Sequence, residues 1–411
     1  MDVQQVNSRV IHEEPDTVYH VEADGASGKH PAAADAQQGG VDGGQVERQM
    51  TALSSASYEE TYPEGGWAAW IVVLGSFFAL FSAMGLMNSI AIFQAYTLDH
   101  QLKGYSEGTV GWIFSIYTFL AFFGGVYFGP IFDKYGPRWL IISGAVCVTG
   151  AMVGMSFCTK LWHFILSFGI LGGLGTSLIF TPSIAAVGHC SIGILLVRSR
   201  LPPAQNATAH PDPRIFRQVP FTLATIGIFL LEFSLFIPLA YISTYAIHKG
   251  FSQAYAYHLI PIMNAGSVVG RSLPGYYADV IGAFNTCLLS VLLSLVACLC
   301  VWLPLGHTSP GIIIFSVLFG FASGTGIAIA PVCIGRMCKT QEYGRYYATT
   351  YTVVSFACLI GIPIAGSIVQ ANGGEYQQLI IFTGCIYVGS AAFLIWAKAA
   401  KLGWQNWLAA Y

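Results

Sequence analysis

The sequence predicts an all-α membrane protein whose spans, about ten in number, form two parallel helical halves, four spans followed by six. Three observations lead there. Of 411 residues, 55% are hydrophobic and 9% charged, against about 25% charged in an average soluble domain, so the chain must dissolve in lipid. Ten apolar segments approach or exceed the roughly 20 residues that a helix needs to cross a bilayer. Finally, the spaced triplet Gly129-x3-Asp133-x2-Gly136 recurs 146 residues later as Gly275-x3-Asp279-x2-Gly282, each time at the end of an apolar segment. In such a hairpin the first glycine permits close helix approach, the aspartate accepts bonds at a helix end, and the second glycine makes the turn.

Residues 1–62 hold 11 of the 20 acidic residues and only three basic ones, Arg9, Lys29 and Arg48. They carry no long apolar run and are read as a disordered acidic tail. The tail lacks the basic start and short apolar core of a secretory signal, so insertion falls to the first span. Spans are expected at 67–96, 110–132, 139–158 and 161–187 in the first half, 63–197. In the second, 219–411, they are expected at 220–247, 255–277, 285–305, 310–334, 347–370 and 379–399. Between the halves, residues 198–218 hold Pro202, Pro203, Pro211 and Pro213 with four arginines, the composition of a polar linker.

Orientation follows from basic residues in the short loops. With both termini cytoplasmic, eleven of these fall inside, from Lys134 and Arg138 to Lys398 and Lys401, and only Lys103, Lys160 and Lys249 outside. The sequon Asn206-Ala207-Thr208 then faces the cytoplasm and stays unmodified. The expected location is the plasma membrane or an internal membrane such as the vacuole.

A second repeat supports the duplication. The fourth span reads Gly169-x2-Gly172-Gly173-x-Gly175 and runs to Pro182; the eighth reads Gly320-x3-Gly324-x-Gly326 and ends at Pro331. Both are read as glycine-lined helices closed by proline. After Pro331 the chain continues through two full crossings, whereas after Pro182 there is only the short apolar run Ile192 to Val197 before the linker. Six apolar residues do not cross a bilayer. The first half therefore lacks a fifth helix and most of a sixth, an even number that leaves the topology intact.

Parallel halves of six spans each are the major facilitator architecture, and the motifs resemble that superfamily. Glu64-Gly65-Gly66-Trp67-Ala68-Ala69-Trp70 resembles the entry signature of its monocarboxylate transporter-like family, in the form of the fungal branch. The loop from Gly129 to Arg138 resembles the general facilitator motif, and Asn264-Ala265-Gly266-Ser267-Val268-Val269-Gly270-Arg271 resembles the family's eighth span. The resemblance runs from Pro63 to the end and breaks at Cys190. It implies a carrier of small organic solutes, monocarboxylates or biosynthetic metabolites, without naming the cargo. Proton-coupled members have a lysine where this chain has Asn88 and an aspartate where it has Ser267; Arg271 alone remains of that apparatus.

Two ionisable residues fall at membrane depth in the second half, where a charge costs about 3 kcal/mol on insertion scales. Glu232 is read as a proton carrier or solute contact, or else as a protonated acid hydrogen-bonded within the bundle. Arg271 is read as an anion anchor, since a guanidinium matches a carboxylate with two parallel donors, or else as a partner for Asp279 or loop carbonyls. Asn88 and Asn264 supply neutral hydrogen bonds to solute or bridge helices. Gly129, Asp133, Lys134, Gly136 and Arg138, with Gly275, Asp279 and Gly282, are read as a cytoplasmic gate. The partners expected are a small, anionic organic solute, a coupled proton and the bilayer.

The chain has no phosphate loop for a directly ATP-driven pump, no nucleophile–base pairing, and no histidine or cysteine spacing for a metal. No cofactor, nucleic-acid partner or enzymatic activity is expected. The competing expectation is a transporter-like chain made inactive in transport by the missing helices.

Overall fold

The computed structural model describes residues 67–188, 211–338 and 342–404. Every regular element among them is helical. The tail, Asn206 and most of the linker lie outside the described residues.

The first span divides at Ser89 into α1 (Trp67–Asn88) and α2 (Ile90–Asp99). The Ser89 hydroxyl donates to the Gly85 carbonyl at 2.8 Å, taking an acceptor from the main chain at the break. The second span is α3 (Glu107–Phe123) and α4 (Gly125–Tyr135), the third α5 (Pro137–Met155). The fourth runs through α6 (Leu161–Phe164), a π-helical stretch Ile165–Gly172 and α7 (Gly173–Gly188). After the linker come α8 (Val219–His248), α9 (Gln253–Ser272), α10 (Pro274–Ile281) and α11 (Ala283–Val296). A second π-helical stretch, Ala297–Trp302, leads to the short α12 (Leu303–Leu305), followed by α13 (Ser309–Met337), α14 (Tyr343–Ala371) and α15 (Gln377–Leu402).

All ten expected spans correspond to helices, but nine meet both the length and the apolarity needed to cross a membrane. The exception is α9, which at 20 residues is long enough. His258, Asn264, Ser267 and Arg271 dilute its apolarity. Between Gly188 and the resumption at Pro211 stand 22 residues, too few for two further crossings of about 20 each. Large side chains such as Phe77, Phe81, Val146 and Leu289 are exposed, as lipid-facing positions require.

The turn glycines behave as expected. Gly136 and Gly282 have φ of 76° and 91°, and each stands at the N-cap of the following helix. The first glycine of the second triplet does not: a side chain at Gly275 would meet open space, so it is no packing residue. Close approach is supplied instead by the second glycine repeat. A Cβ on Gly320 or Gly324 of α13 would collide with the carbonyl of Met263 or Ser267 on α9, and one on Gly266 or Gly270 with that of Val317 or Phe321. The first half repeats this pairing, with Gly169 and Gly173 set against the carbonyls of Ile113 and Tyr117 on α3. The prolines also differ from expectation. Helix α7 continues past Pro182 to Gly188 and α13 past Pro331 to Met337, because packed neighbours tolerate the lost backbone bond.

The halves meet along α3 and α14. Gly108 lies against the Pro363 carbonyl and Ser367, Gly366 against Gly108, and Gly111 against Ile362. By the duplication α9 is the counterpart of α3, and among the described residues no helix of the first half covers it in the same way. Its residues Pro261, Ala265, Val268 and Val269 stay exposed. The end of the linker is anchored rather than free. Arg345 lies 3.8 Å from Asp212, the Asp212 N–H donates to Thr349 at 3.0 Å, and Gln218 donates to the Tyr346 hydroxyl at 2.8 Å.

Replacing Gly320 with Ala forces α13 off the Met263 carbonyl and is expected to cost about 1–3 kcal/mol. Gly85→Ala, which adds a methyl group into open space, stays within about 1 kcal/mol of the parent. Thermal unfolding of the detergent-purified protein reads both.

Candidate functional site

Helix α8 is the most enclosed of the spans, with buried residues on all its faces. Glu232 stands near its middle and is 1% exposed. Neither carboxylate oxygen has a hydrogen-bond partner among the described residues. A buried ionised carboxylate without donors is strongly disfavoured, so what faces it matters. Arg271 of α9 is within electrostatic reach of it, although no ion pair joins the two among the described residues. The guanidinium is half-buried, and its Nε is a second buried atom without a partner. No ion pair joins Arg271 to Asp279 among the described residues, and Asp279 is exposed at the far end of α10. The structural reading of Arg271 as an Asp279 partner is therefore not what the fold displays. Two opposite charges on different helices thus lie within electrostatic reach without an ion pair, and Glu232 Oε1 and Oε2 and Arg271 Nε are unpartnered among the described residues.

Asn264 lies two helical turns before Arg271, on the same flank of α9, half-buried. Asn88 closes α1 at the Ser89 break, also half-buried. Neither amide makes a hydrogen bond among the described residues. The structure thus brings Glu232 and Arg271 together and aligns Asn264 with them, while Asn88 belongs to the opposite half.

An aromatic ladder climbs α14 beside the pair. Tyr343 and Tyr347 have ring centroids 5.8 Å apart, Tyr347 and Tyr351 stack at 4.4 Å, and Tyr351 meets Phe122 of α3 at 5.7 Å. Phe122 in turn approaches Phe236 at 6.2 Å, one helical turn from Glu232 on α8. The Glu232 charge is felt at Tyr347 and Tyr351. An acid, a base and flat apolar rings together suit a planar solute carrying a negative group.

Of the gate residues, Gly136 and Gly282 form the turns already described, and Arg138 is exposed in the first turn of α5. The side chains of Asp133 and Lys134 lie outside the described residues. Sequence reasoning missed Gln94, which is fully buried with both amide atoms unpartnered, and Glu107, whose Oε2 is buried and unpartnered. A polar residue inside the first span was a legible signal for Gln94. Glu107 fell just outside the span expected to begin at 110. It also missed Lys398, 4% exposed, whose ammonium donates to Asn285 across the bundle end.

Residues 71–191 and 275–406 match the family model described as Major Facilitator Superfamily. MFS-type transporter 1 of Ophiocordyceps sp. is 32% identical over 394 residues, covering 83% of this chain and 88% of the relative. The riboflavin transporter MCH5 of Saccharomyces cerevisiae is 29% identical, covering 84% and 81%. The aspyridones efflux protein apdF of Emericella nidulans is 31% identical, covering 84% and 80%. Among solved structures, the nucleoside transporter NupG superposes with a TM-score of 0.60 at 12% identity, over 79% of this chain and 99% of its own. The human organic anion transporter MFSD10 gives 0.53 at 14%, over 80% and 98%. These two likenesses concern the fold alone.

Removing one member of the charge pair should strand the other. Arg271→Ala is expected to lower thermal stability and Glu232→Gln in the same chain to restore it, with a coupling of about 1–3 kcal/mol in a double-mutant cycle. Additive effects would mean that the two side chains do not interact.

Proposed function

Since the chain belongs to the major facilitator superfamily and carries a small organic solute across a membrane, we propose that its cargo is anionic and that Arg271 holds it. Arg271 presents two parallel donors to a carboxylate or similar group. Glu232 is the counter-charge in the empty carrier and gives up that role when the anion arrives, taking a proton that travels with the solute. Asn264 on the same flank and Asn88 from the opposite half add neutral hydrogen bonds when the halves close around the cargo. The observation that carries this reading is the Glu232 carboxyl, buried in the centre of α8 with both oxygens unpartnered and Arg271 opposite. Such a group is costly and persists in carriers where function requires it.

The Tyr347–Tyr351–Phe122 surface favours a planar cargo, and the relatives named for riboflavin and for aspyridones are compatible with this. Gly129, Asp133, Lys134, Gly136 and Arg138, with Gly275, Asp279 and Gly282, form the gate at the cytoplasmic end, with both termini on that side. The plasma membrane is the proposed location. A second reading, a transporter-like chain inactive in transport, has one observation in its favour: the face of α9 that corresponds to the α3 surface under α14 is exposed among the described residues.

Reconstitution in liposomes decides between the readings. With radiolabelled benzoate, lactate and riboflavin as probes, flux above protein-free liposomes is expected for at least one. Arg271→Ala should remove more than about nine-tenths of carboxylate flux, and Arg271→Lys should retain only a minor part, since a point charge replaces a fork. Flux through Glu232→Gln should no longer respond to an imposed pH gradient. Absence of flux for all three probes selects the second reading, and carboxylate flux untouched by Arg271→Ala refutes the anchor.

A further inference from the structure

The end of the bundle opposite the repeated glycine turns is closed by contacts that join the two halves. The Tyr376 hydroxyl donates to Glu107 Oε1 at 2.8 Å, from the N-cap of α15 to the first residue of α3. At the rim, Gln253 of α9 donates to Asp99 Oδ2 at the end of α2 at 3.2 Å. Beneath them the backbones touch, with Gly108 against Pro363 and Gly366. The Tyr241 hydroxyl donates to the Ile362 carbonyl at 2.9 Å and reaches the same seam.

Tyr376 is held in place from its own half. Its ring is 1% exposed and stands edge-on to Tyr245 at 5.5 Å and tilted on His248 at 5.4 Å. The neighbouring Glu375 receives the Lys249 ammonium at 2.9 Å and lies 3.4 Å from His248. The hydrogen bond from Lys249, and then that from His248, holds the exposed Glu375 carboxyl below the usual carboxylate range. The tyrosine is therefore a fixed donor, and Glu107 is the member that must let go. Glu107 is only half satisfied, because its Oε2 is buried without a partner. The charged and titratable groups facing it are Tyr376, Tyr241 and His248.

We propose that Glu107 and Tyr376 form the latch that holds the two halves together at this end of the carrier, and that its release is a step of the transport cycle. One hydrogen bond from a rigid donor to a carboxylate whose other oxygen has no partner closes the end without locking it. Opening removes a bond worth about tenfold in population and returns Glu107 to water. At this end of the seam the closest contacts are between backbones, Gly108 against Pro363 and Gly366, which eases separation. Glu107 and Tyr376 act here as gating residues, remote from Arg271 and Glu232, so the latch stands whether or not those residues bind the cargo.

The test places a reporter behind the latch. Gln94 is fully buried on α2 beside Tyr241, so in the full-length Gln94→Cys protein in detergent, maleimide modification of position 94 measures opening. Mass spectrometry of the peptide holding that position isolates it from the native cysteines. Tyr376→Phe removes a single oxygen and should raise the modification rate about tenfold, as should Glu107→Ala, the factor that corresponds to about 1.4 kcal/mol. Glu107→Gln still offers a carbonyl to Tyr376 and should stay within about threefold of the parent. The buried native Cys298 should remain slow throughout. Unchanged rates in Tyr376→Phe and Glu107→Ala overturn the proposal. So does a rise at Cys298 that parallels position 94, which marks general loosening.

Discussion

In lipid, two helices gain nothing by hiding apolar surface from each other, because the solvent is as apolar as they are. What remains is contact between backbones, and that requires the absence of side chains at the point of approach. The architecture follows from this one constraint. Gly320 and Gly324 of α13 rest on carbonyls of α9, Gly266 and Gly270 of α9 rest on α13, and Gly169 and Gly173 rest on α3. The same device joins the halves, where Gly108 meets Gly366. Where Gly108 meets Gly366 the backbones touch without long side chains between them, which suits a carrier built of two moving halves.

The same solvent that makes glycine the adhesive makes any unsatisfied polar atom conspicuous. Gln94, Glu107, Glu232 and Arg271 each hold buried atoms without partners. Such groups are expensive where water is absent. They fall at two places: Glu232 in the middle of α8 and Arg271 in the last turn of α9, and Gln94 and Glu107 toward the end where α3 meets α15. The first suits recognition of a charged solute, and the second suits alternation. The exposed face of α9 is, by the sequence repeat, the counterpart of the surface that α3 shows to α14.

The main features of the fold were legible from local signals. Ten apolar segments became helices, nine of them long and apolar enough to cross a membrane among the described residues, and the positive φ of Gly136 and Gly282 follows from a turn that other residues adopt at a cost. Where local reasoning failed, a neighbour decided. Gly275 looked like a packing glycine and faces open space, while the glycines that pack were those of the second repeat. Pro182 and Pro331 looked like helix ends and are helix interiors, because surrounding helices tolerate the missing bond. Of the candidate residues, Glu232 and Arg271 stood out as charges at membrane depth. Lys398 was read as a loop cation and is buried against Asn285.

The sequence by itself determined that this chain lives in a membrane and that it is an internally duplicated helical carrier. These are matters of composition, period and length, which no packing arrangement alters. Only the tertiary structure decided which polar residues meet. Glu232 and Arg271 are 39 positions apart on different helices, and Glu107 and Tyr376 are 269 apart. Pairing at such separations depends on which helix faces turn toward one another. That orientation is set by the glycine contacts of the whole bundle, and no single segment contains it.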